Sequence, residues 1–384
     1  MQVGIIGSGA MGAGIAQVAA SAGHLVVVFD QQTAALEKAK SQITQNLERL
    51  LLKNKITEQE VFSILQRITF TEKMSQFADC ELVIEAIVEE LELKKKVFQS
   101  LEQTVSEVCI LATNTSSLSV TSIAAACRLP HRVLGIHFFN PAPLMELVEI
   151  IPALQTDNQI VEKVKQLILS WKKLPVIAKD TPGFLVNRIA RPYYGEAIRI
   201  LEEGVADCAT IDWAMTHFGG FKMGPFLLMD FIGHDVNFRV TESIFAAFYF
   251  DPRYRPSFTQ KRLLEAGWLG KKTGRGFYDY AADVTPPTPT QNEALGKLIL
   301  ERILIMLINE AADALFLGIA TRADLETAMQ KGTNYPKGLL AWADEIGVSK
   351  CVQLLDSQYD IYKEDRYRCS PLLRQMTKDG RTFF

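Results

Sequence analysis

Apolar runs of four to seven residues alternate with stretches of helical periodicity through the first half of the chain. QVGII (2–6) ends at Gly7, a helical pattern runs from about Gly12 to Ala22, and LVVVFD (25–30) is a second apolar run closing on an aspartate. Strand, helix and strand at this spacing make a βαβ unit, which implies a parallel sheet. Residues 33–67 carry a long helical pattern with lysines, more than a simple crossover needs. ELVIEAI (81–87) reads as a strand, LELKKKVFQSLEQTV (91–105) as a helix and VCILATN (108–114) as a strand. RVLGIHFF (132–139) and ELVEII (146–151) continue the series, and VIAKD (176–180) reads as the last strand.

The pattern changes at DTPGF (180–184), where strands give way to helical periodicity; this places a domain boundary near Lys179. KKTGRGFYDY (271–280) closes the second region, and AADVTPPTPTQN (281–292) has the Pro, Thr and Asp content of an exposed linker. The helical tail is a repeat. A shift of 114 residues lays EAIRILEEGVADCATIDWAM (196–215) on EAADALFLGIATRADLETAM (310–329), and Gly224, Asp230 and Gly233 on Gly338, Asp344 and Gly347. Glycines in step over such a span point to a duplicated helical domain. The organisation expected is 1–179, 180–283 and 293–384: an α/β domain followed by two related all-helical ones.

Composition narrows the class without choosing a function. Forty-eight per cent of the 384 residues are hydrophobic and the net charge is −3, so no basic surface suggests nucleic acid. No apolar run reaches bilayer-spanning length, and no basic leader with an apolar core precedes the first strand. The six cysteines are scattered without metal-type spacing, which fits reduced thiols in the cytoplasm and no bound metal.

The candidate chemistry begins with GSGAMG: Gly7, Ser8, Gly9, Ala10, Met11 and Gly12. This GxGxxG lies between a strand and a helix, with Asp30 closing the second strand. The first glycine permits the turn, the second admits a pyrophosphate, and the third lets helix and strand approach. An aspartate in that position accepts hydrogen bonds from ribose hydroxyls and repels a 2′-phosphate, which favours NAD over NADP. FAD uses the same fingerprint but ranks below NAD, because no second flavin motif follows. A Rossmann-like domain is therefore expected.

HRVLGIHFFNPAPLMELVEI (131–150) places His137 in one apolar strand and Glu149 in the next. A histidine in such a strand is commonly a satisfied core residue. Here it lies on a late strand of a nucleotide-binding sheet, where ligands sit at strand ends. A carboxylate can return beside it, and TNTSSL (113–118) adds hydroxyls and an amide at another strand end. A braced imidazole suits alcohol-to-carbonyl chemistry. TNTSSL reads alternatively as a helix N-cap.

GSGAMGAGIAQVAA, EAIVEELELKKKVF, TNTSSL, HFFNPAPLMELVE, DTPGFLVNR, MGPF and GKKTGRGFY, in order over residues 1–280, resemble the motifs of the L-3-hydroxyacyl-CoA dehydrogenases, including the bacterial 3-hydroxybutyryl-CoA enzymes. The tail resembles an extra helical domain of longer members. The resemblance implies NAD-dependent, reversible oxidation of a short-chain (S)-3-hydroxyacyl-CoA. It assigns His137 as general base, Glu149 as its partner, Ser116 to the substrate oxygen near the nicotinamide, and Asn187 to the substrate's reacting end. It implies cofactor contacts at Glu89, Lys94, Ser116, Asn140 and Lys272. The helical stretch after Asp30 becomes a CoA-binding insertion, with Lys53 on the CoA phosphates and Asn46 standing where the family often has serine. Lys53 reads equally as a solvated helix face. Lys222 before MGPF and Glu146 depart from the family pattern and bear on acyl-chain fit.

Glu301 occupies the repeat position equivalent to Asn187 and no DTPGF precedes it, so the second helical copy is expected to carry no chemistry. In shorter relatives the helical domain pairs with that of a second subunit. A tethered copy would fill that surface as an intrachain pseudo-dimer, leaving the chain monomeric, with a homodimer still open. Three other readings remain: a dehydrogenase of a free hydroxy or sugar acid on the same scaffold, an inactive NAD-binding module, and a decarboxylating β-hydroxyacid dehydrogenase.

Overall fold

The computed structural model describes residues 1–384, and its contacts divide it into two compact units, Met1–Thr181 and Pro182–Phe384. In the first, the apolar runs become strands of one sheet and the amphipathic segments become helices on its faces. The elements in chain order are β1 (Gln2–Ile6), α1 (Ala10–Ser21), β2 (Leu25–Phe29), α2 (Thr33–Leu52), α3 (Glu58–Gln66), β3 (Ile68–Thr71) and β4 (Leu82–Glu85). They continue with α4 (Leu91–Thr104), β5 (Ile110–Thr113), α5 (Val120–Ala124), β6 (Val133–Phe138), β7 (Leu147–Pro152), α6 (Asn158–Ser170) and β8 (Leu174–Ile177).

The eight strands are ordered β3-β2-β1-β4-β5-β6-β7-β8. Pairs from β3 to β6 are parallel, β6 and β7 are antiparallel, and β7 and β8 are parallel again. The order reverses between β1 and β4, which opens a crevice at their carboxyl ends; nucleotide ligands sit at such switch points. The core joins Val3, Ile5, Val28, Ile84 and Ile110 of the strands to Ile15 and Ala19 of α1 and Val164 and Ile168 of α6. Strands buried on both faces read as unbroken apolar runs, which is why they were visible in sequence.

Three details differ from the sequence reading. The long stretch 33–67 is two helices, because Thr57 and Glu60 form a reciprocal capping box that starts α3. β3, only four residues long, follows it at the sheet edge. The last strand is Leu174–Ile177 rather than 176–180. Pro175 is tolerated there because β8 pairs with β7 alone, so its missing N–H breaks no ladder.

The second unit is helical: α7 (Val186–Ile189), α8 (Arg191–Glu202), α9 (Cys208–His217), α10 (Pro225–Ile232), α11 (His234–Ala247), α12 (Phe258–Glu265), α13 (Glu293–Phe316), α14 (Arg322–Gly332), α15 (Leu339–Ile346), α16 (Val348–Tyr362) and α17 (Pro371–Asp379). From α9 to α12 and from α14 to α17 the elements repeat in step, down to their caps. Asp212 accepts hydrogen bonds from the N–H groups of Phe226 and Leu227 that begin α10; Glu326 does the same for Leu340 and Ala341 in α15. Asp230 receives the N–H groups of Phe277 and Tyr278, and Asp344 those of Phe383 and Phe384. One difference stands out: α7 and α8 are separate, with Pro192 opening α8, whereas α13 runs unbroken through the equivalent positions.

The two copies pack on each other, with α13 against α8 and α9. Glu310 of α13 is buried and accepts from Arg188 Nε at 2.6 Å, Arg253 Nη1 at 3.1 Å and the Tyr254 hydroxyl at 2.5 Å. Glu196 of α8 accepts from Arg302 Nε at 2.7 Å and the Tyr367 hydroxyl at 2.5 Å.

Candidate active site

The turn from β1 into α1 shows what each glycine does. Gly7 has φ +90°, and a Cβ there would lie 2.6 Å from the Ala86 carbonyl oxygen. A Cβ on Gly12 would stand 1.8 Å from the Gly7 carbonyl oxygen, so α1 sits on β1 only because that side chain is absent. Gly9 is different: a Cβ there meets nothing within 4 Å. Two glycines are required by the protein's own packing; the middle one leaves room for something outside it. Gly9 also caps α1 without a side-chain acceptor, so the first-turn N–H groups at Ala10 and Met11 are available to an anion.

Asp30, just past β2, accepts from Ser8 N at 2.9 Å, Ser8 Oγ at 2.8 Å and Gln32 N at 3.1 Å. Burial disfavours its charge, but these hydrogen bonds outweigh burial and hold the carboxyl below the usual aspartate range. Gly9 and Asp30 edge a cavity of about 390 Å³ whose far wall is apolar: Met74, Ile87, Val88 and Val97. An open glycine at an uncapped helix start, a carboxylate on the same cavity and an apolar slot for a base fit the adenosine half of a dinucleotide.

The ends of β4 and β5 form a second cluster. Glu85 is fully buried and accepts from Lys94 Nζ at 2.6 Å, Thr113 Oγ1 at 2.7 Å and Ile87 N at 2.7 Å. Lys94, also buried, reaches Glu89 at 3.4 Å. Glu89 in turn accepts from Thr115 Oγ1 at 2.6 Å, Ser116 N at 2.9 Å and Ser117 N at 3.2 Å. Burial opposes its charge, yet Lys94, Thr115 and Ser116 outweigh that and depress its pKa. Of the residues named from sequence, the fold thus brings Glu89, Lys94 and Ser116 together. Glu85, which anchors Lys94, was missed; its only sequence signal was a carboxylate inside an apolar strand, the same signal that singled out Glu149.

His137 and Glu149 are register partners across the antiparallel pair β6 and β7, so both side chains leave the same face of the sheet. Nδ1 of His137 lies 2.7 Å from Glu149 Oε2; the imidazole is 6% exposed and the carboxylate 0%. A carboxylate can only accept, so Nδ1 carries the hydrogen and Nε2 is the basic nitrogen. Phe139 packs its ring 4.6 Å from the imidazole. Two further residues hold this arrangement: Asn114, the amide of TNTSSL, and Lys173, which was not found in sequence. Asn114 Oδ1 accepts from Phe138 N at 2.8 Å, tying the end of β5 beside His137. Lys173, buried, donates to the carbonyls of Ala142 and Met145 at 2.7 Å and fixes the loop that returns the chain to Glu149. Exposed Asn140 begins that loop.

The other sequence candidates lie apart from this cluster or in the second unit. Asn46 donates to Gln17 Oε1 at 3.4 Å. Lys53 caps the end of α2, exposed and without an ion pair. In the second unit, Asn187 lies on α7 half-buried, and Lys272 pairs with Asp235 at 2.5 Å. Lys222 donates to Asn334 at 3.2 Å.

Comparison with known proteins decides the family. The model for the 3-hydroxyacyl-CoA dehydrogenase NAD binding domain matches residues 2–181, and that for the C-terminal domain matches twice, at 183–280 and 298–382. The chain belongs to the 3-hydroxyacyl-CoA dehydrogenase family. It is an NAD-dependent oxidoreductase of 3-hydroxyacyl-CoA. It is 39% identical to the 3-hydroxyadipyl-CoA dehydrogenase of Escherichia coli K12, covering 97% of this chain and 96% of that one. It is 43% identical to the 3-hydroxybutyryl-CoA dehydrogenase of Bradyrhizobium diazoefficiens over 76% of this chain and 98% of the relative. The crystal structure of an E. coli 3-hydroxybutyryl-CoA dehydrogenase superposes with a TM-score of 0.93 at 37% identity, covering 99% of both chains. The (S)-3-hydroxybutyryl-CoA dehydrogenase PaaH1 of Ralstonia eutropha, 41% identical with a TM-score of 0.71, likewise covers 73% of this chain and 99% of its own. No helix is long and apolar enough to cross a membrane.

Proposed function

We propose that the chain oxidises a short (S)-3-hydroxyacyl-CoA at carbon 3 with His137 as the base. The observation that carries this reading is the in-register His137–Glu149 pair beside the strand end that also holds Asn114, on the sheet that carries the glycine turn. His137 Nε2 takes the proton of the 3-hydroxyl. Glu149 keeps Nδ1 protonated and balances the charge the ring acquires. NAD, when bound, supplies the nicotinamide carbon that accepts the hydride. In reduction the imidazolium returns its proton to the 3-oxo oxygen. Ser116 hydrogen-bonds the same oxygen, and Glu89 with its buried Lys94 holds the Ser116 backbone in place for this. Asn140 and Lys272 serve the nicotinamide end, and Asn187 holds the thioester's reacting end; for these three the support is family resemblance. Lys53 and Asn46 take the CoA phosphates, which fits an exposed ammonium with no carboxylate partner.

The names of the relatives bracket a short acyl group, four carbons in one case and six in the other. A free hydroxy acid is the rival substrate, and it would leave Lys53 without a role. NADH consumption with a panel of 3-oxoacyl-CoA thioesters and the matching free acids tests the reading: turnover restricted to the free acids would overturn it. Six unpaired cysteines agree with a cytoplasmic setting. We also read the second unit as two domains, 180–283 and a non-catalytic 293–384, joined as two subunits would be.

A further inference from the structure

A cavity of about 720 Å³ lies among α1, α2, α3 and the turn after α6, within the first unit and separate from the one beside Gly9 and Asp30. Its charged lining is one-sided. Lys55 comes from the turn between α2 and α3, Arg67 from the end of α3, and Lys172 and Lys173 from the turn after α6. Lys173 is already engaged by backbone carbonyls. The other three are half-buried or exposed, and none forms an ion pair. Arg67 donates from Nη1 to the Ala20 carbonyl at 3.1 Å and keeps its remaining donors. The single carboxylate on the lining, Glu60, is turned to Thr57, whose N–H and hydroxyl donate to its Oε2 at 2.7 and 2.9 Å. Those bonds, more than Lys172, hold its carboxyl below the usual range. Three cations from three elements therefore line one space in a chain whose net charge is −3.

Lys172 adds a second observation. Its φ is +59°, the left-handed conformation in which a helix end ordinarily carries glycine. A side chain there strains the backbone, and strain of this kind persists at ligand sites. The rest of the lining includes an apolar wall of Leu47, Leu50 and Ile56. Pro143, from the loop between β6 and β7, also lines it, so the cavity borders the segment that joins His137 to Glu149.

We propose that Lys55, Arg67 and Lys172 receive the 3′-phosphate of CoA in this cavity, with the adenine against Leu47, Leu50 and Ile56. The assignment rests on the reading above, in which the substrate is a CoA thioester that meets His137. A terminal phosphate monoester carries about −1.5 to −2 charges near neutral pH and presents three acceptor oxygens. Two ammonium groups and a guanidinium can surround it. The pyrophosphate, esterified at both ends, has no such terminal group; Lys53, which does not line the cavity, is left to it. The chemistry at carbon 3 is untouched. The three cations make the protein discriminate CoA from carriers that lack the 3′-phosphate.

The test compares acetoacetyl-CoA with its 3′-dephospho analogue in NADH-dependent reduction by the full-length protein. Removing the phosphate is expected to raise KM about 10-fold in the wild type, and less at high salt. Lys172→Gly and Arg67→Gln each lower that ratio about threefold, and together they bring it near unity. Lys172→Gly also relieves the left-handed strain, so its melting temperature is expected to match or exceed that of the wild type. A Lys172 that serves the fold alone would leave the ratio unchanged. A wild-type ratio near unity, or one that survives in the double variant, overturns the assignment. Should Arg67→Gln fail to fold, Lys55→Gln combined with Lys172→Gly, both at exposed positions, replaces it, and an unchanged ratio there overturns the proposal. If no CoA thioester is reduced, the functional reading itself falls and takes this one with it. If both thioesters are reduced with equal KM, the phosphate assignment alone falls.

Discussion

Arg188 and Arg302 stand 114 residues apart at equivalent positions of the two helical copies, and each donates its Nε to a glutamate of the other copy. The glutamates, Glu310 and Glu196, are themselves equivalent, and so are the tyrosines that join them, Tyr254 and Tyr367. Residue i meets j while the counterpart of j meets the counterpart of i, which is the signature of a two-fold, isologous interface. Here it lies within one chain. Tethering replaces an association equilibrium with a high effective concentration, so the surface needs no second molecule. The expected molar mass in solution is that of one chain, 42.9 kDa, at micromolar concentration. Light scattering that shows a tight dimer contradicts this.

The same interface makes Glu310 a stability determinant. It is fully buried and holds two guanidinium groups. Removing one partner of a buried pair leaves the other charges uncompensated, so Glu310→Gln is expected to lower unfolding stability by about 3 kcal/mol. Burial alone would raise this carboxyl's pKa, but Arg188 and Arg253 outweigh it and hold it low. A carboxyl depressed on folding stabilises fully above its unfolded pKa and loses that contribution as pH falls through the folded value. The deficit of Glu310→Gln in urea unfolding should therefore be level from about pH 6 to 8 and shrink below about pH 4.5. A deficit that widens on acidification would contradict the ion-pair account.

Much of this was legible in the chain because it follows local rules. Buried strands read as apolar runs; the glycine turn and Asp30 sit at the ends of two of them, and His137 and Glu149 are titratable groups inside two others. What escaped depended on non-local contacts. β3 is too short to show a period, and the site of β8 was displaced by Pro175, which only the sheet edge explains. Lys173 looked like an ordinary loop lysine, and Glu85 like a stray charge in a strand; burial of the one against carbonyls and of the other against Lys94 gives them their roles. Lys55, Arg67 and Lys172 come from three separate elements, and nothing local shows that they line one cavity. The repeat itself was readable, but the exchange of partners between Arg188 and Arg302 needed both copies folded.

The glycine turn offers a clean separation of packing from ligand binding. Gly12→Ala drives a methyl group into the Gly7 carbonyl and is expected to cost several kcal/mol, enough to lower the melting temperature sharply. Gly9→Ala meets no protein atom, so its melting temperature without cofactor should match the wild type. Its NAD affinity, measured by calorimetry, should fall by roughly tenfold or more, because the methyl group occupies the pyrophosphate's approach. A Gly9→Ala protein that binds NAD normally would place the cofactor elsewhere.

Lys53 tests whether CoA is read at all. The ammonium is exposed, so its contact with a phosphate is a surface charge pair of about 1 kcal/mol at most. Lys53→Ala should raise KM for the thioester by roughly fivefold with kcat little changed, and the effect should diminish at high salt. An unaffected KM at low ionic strength would remove this residue from the substrate site.

His137 and Glu149 should behave as one device. With His137 as the proposed base, His137→Gln is expected to lower kcat about 1000-fold, while NAD binding, assigned to the glycine turn and Asp30, should persist. Glu149→Gln keeps the imidazole but loses the anion facing Nδ1; the amide can offer either its oxygen or its nitrogen, so the tautomer is no longer fixed. The expected loss is about 100-fold in kcat, smaller than for the histidine. Because the carboxylate acts only through the ring, the double variant should be no slower than His137→Gln alone. Single-turnover reduction of a 3-oxoacyl-CoA by prebound NADH measures all three without interference from product release. Losses that multiply in the double variant would mean that Glu149 acts on the substrate by a route that does not pass through His137.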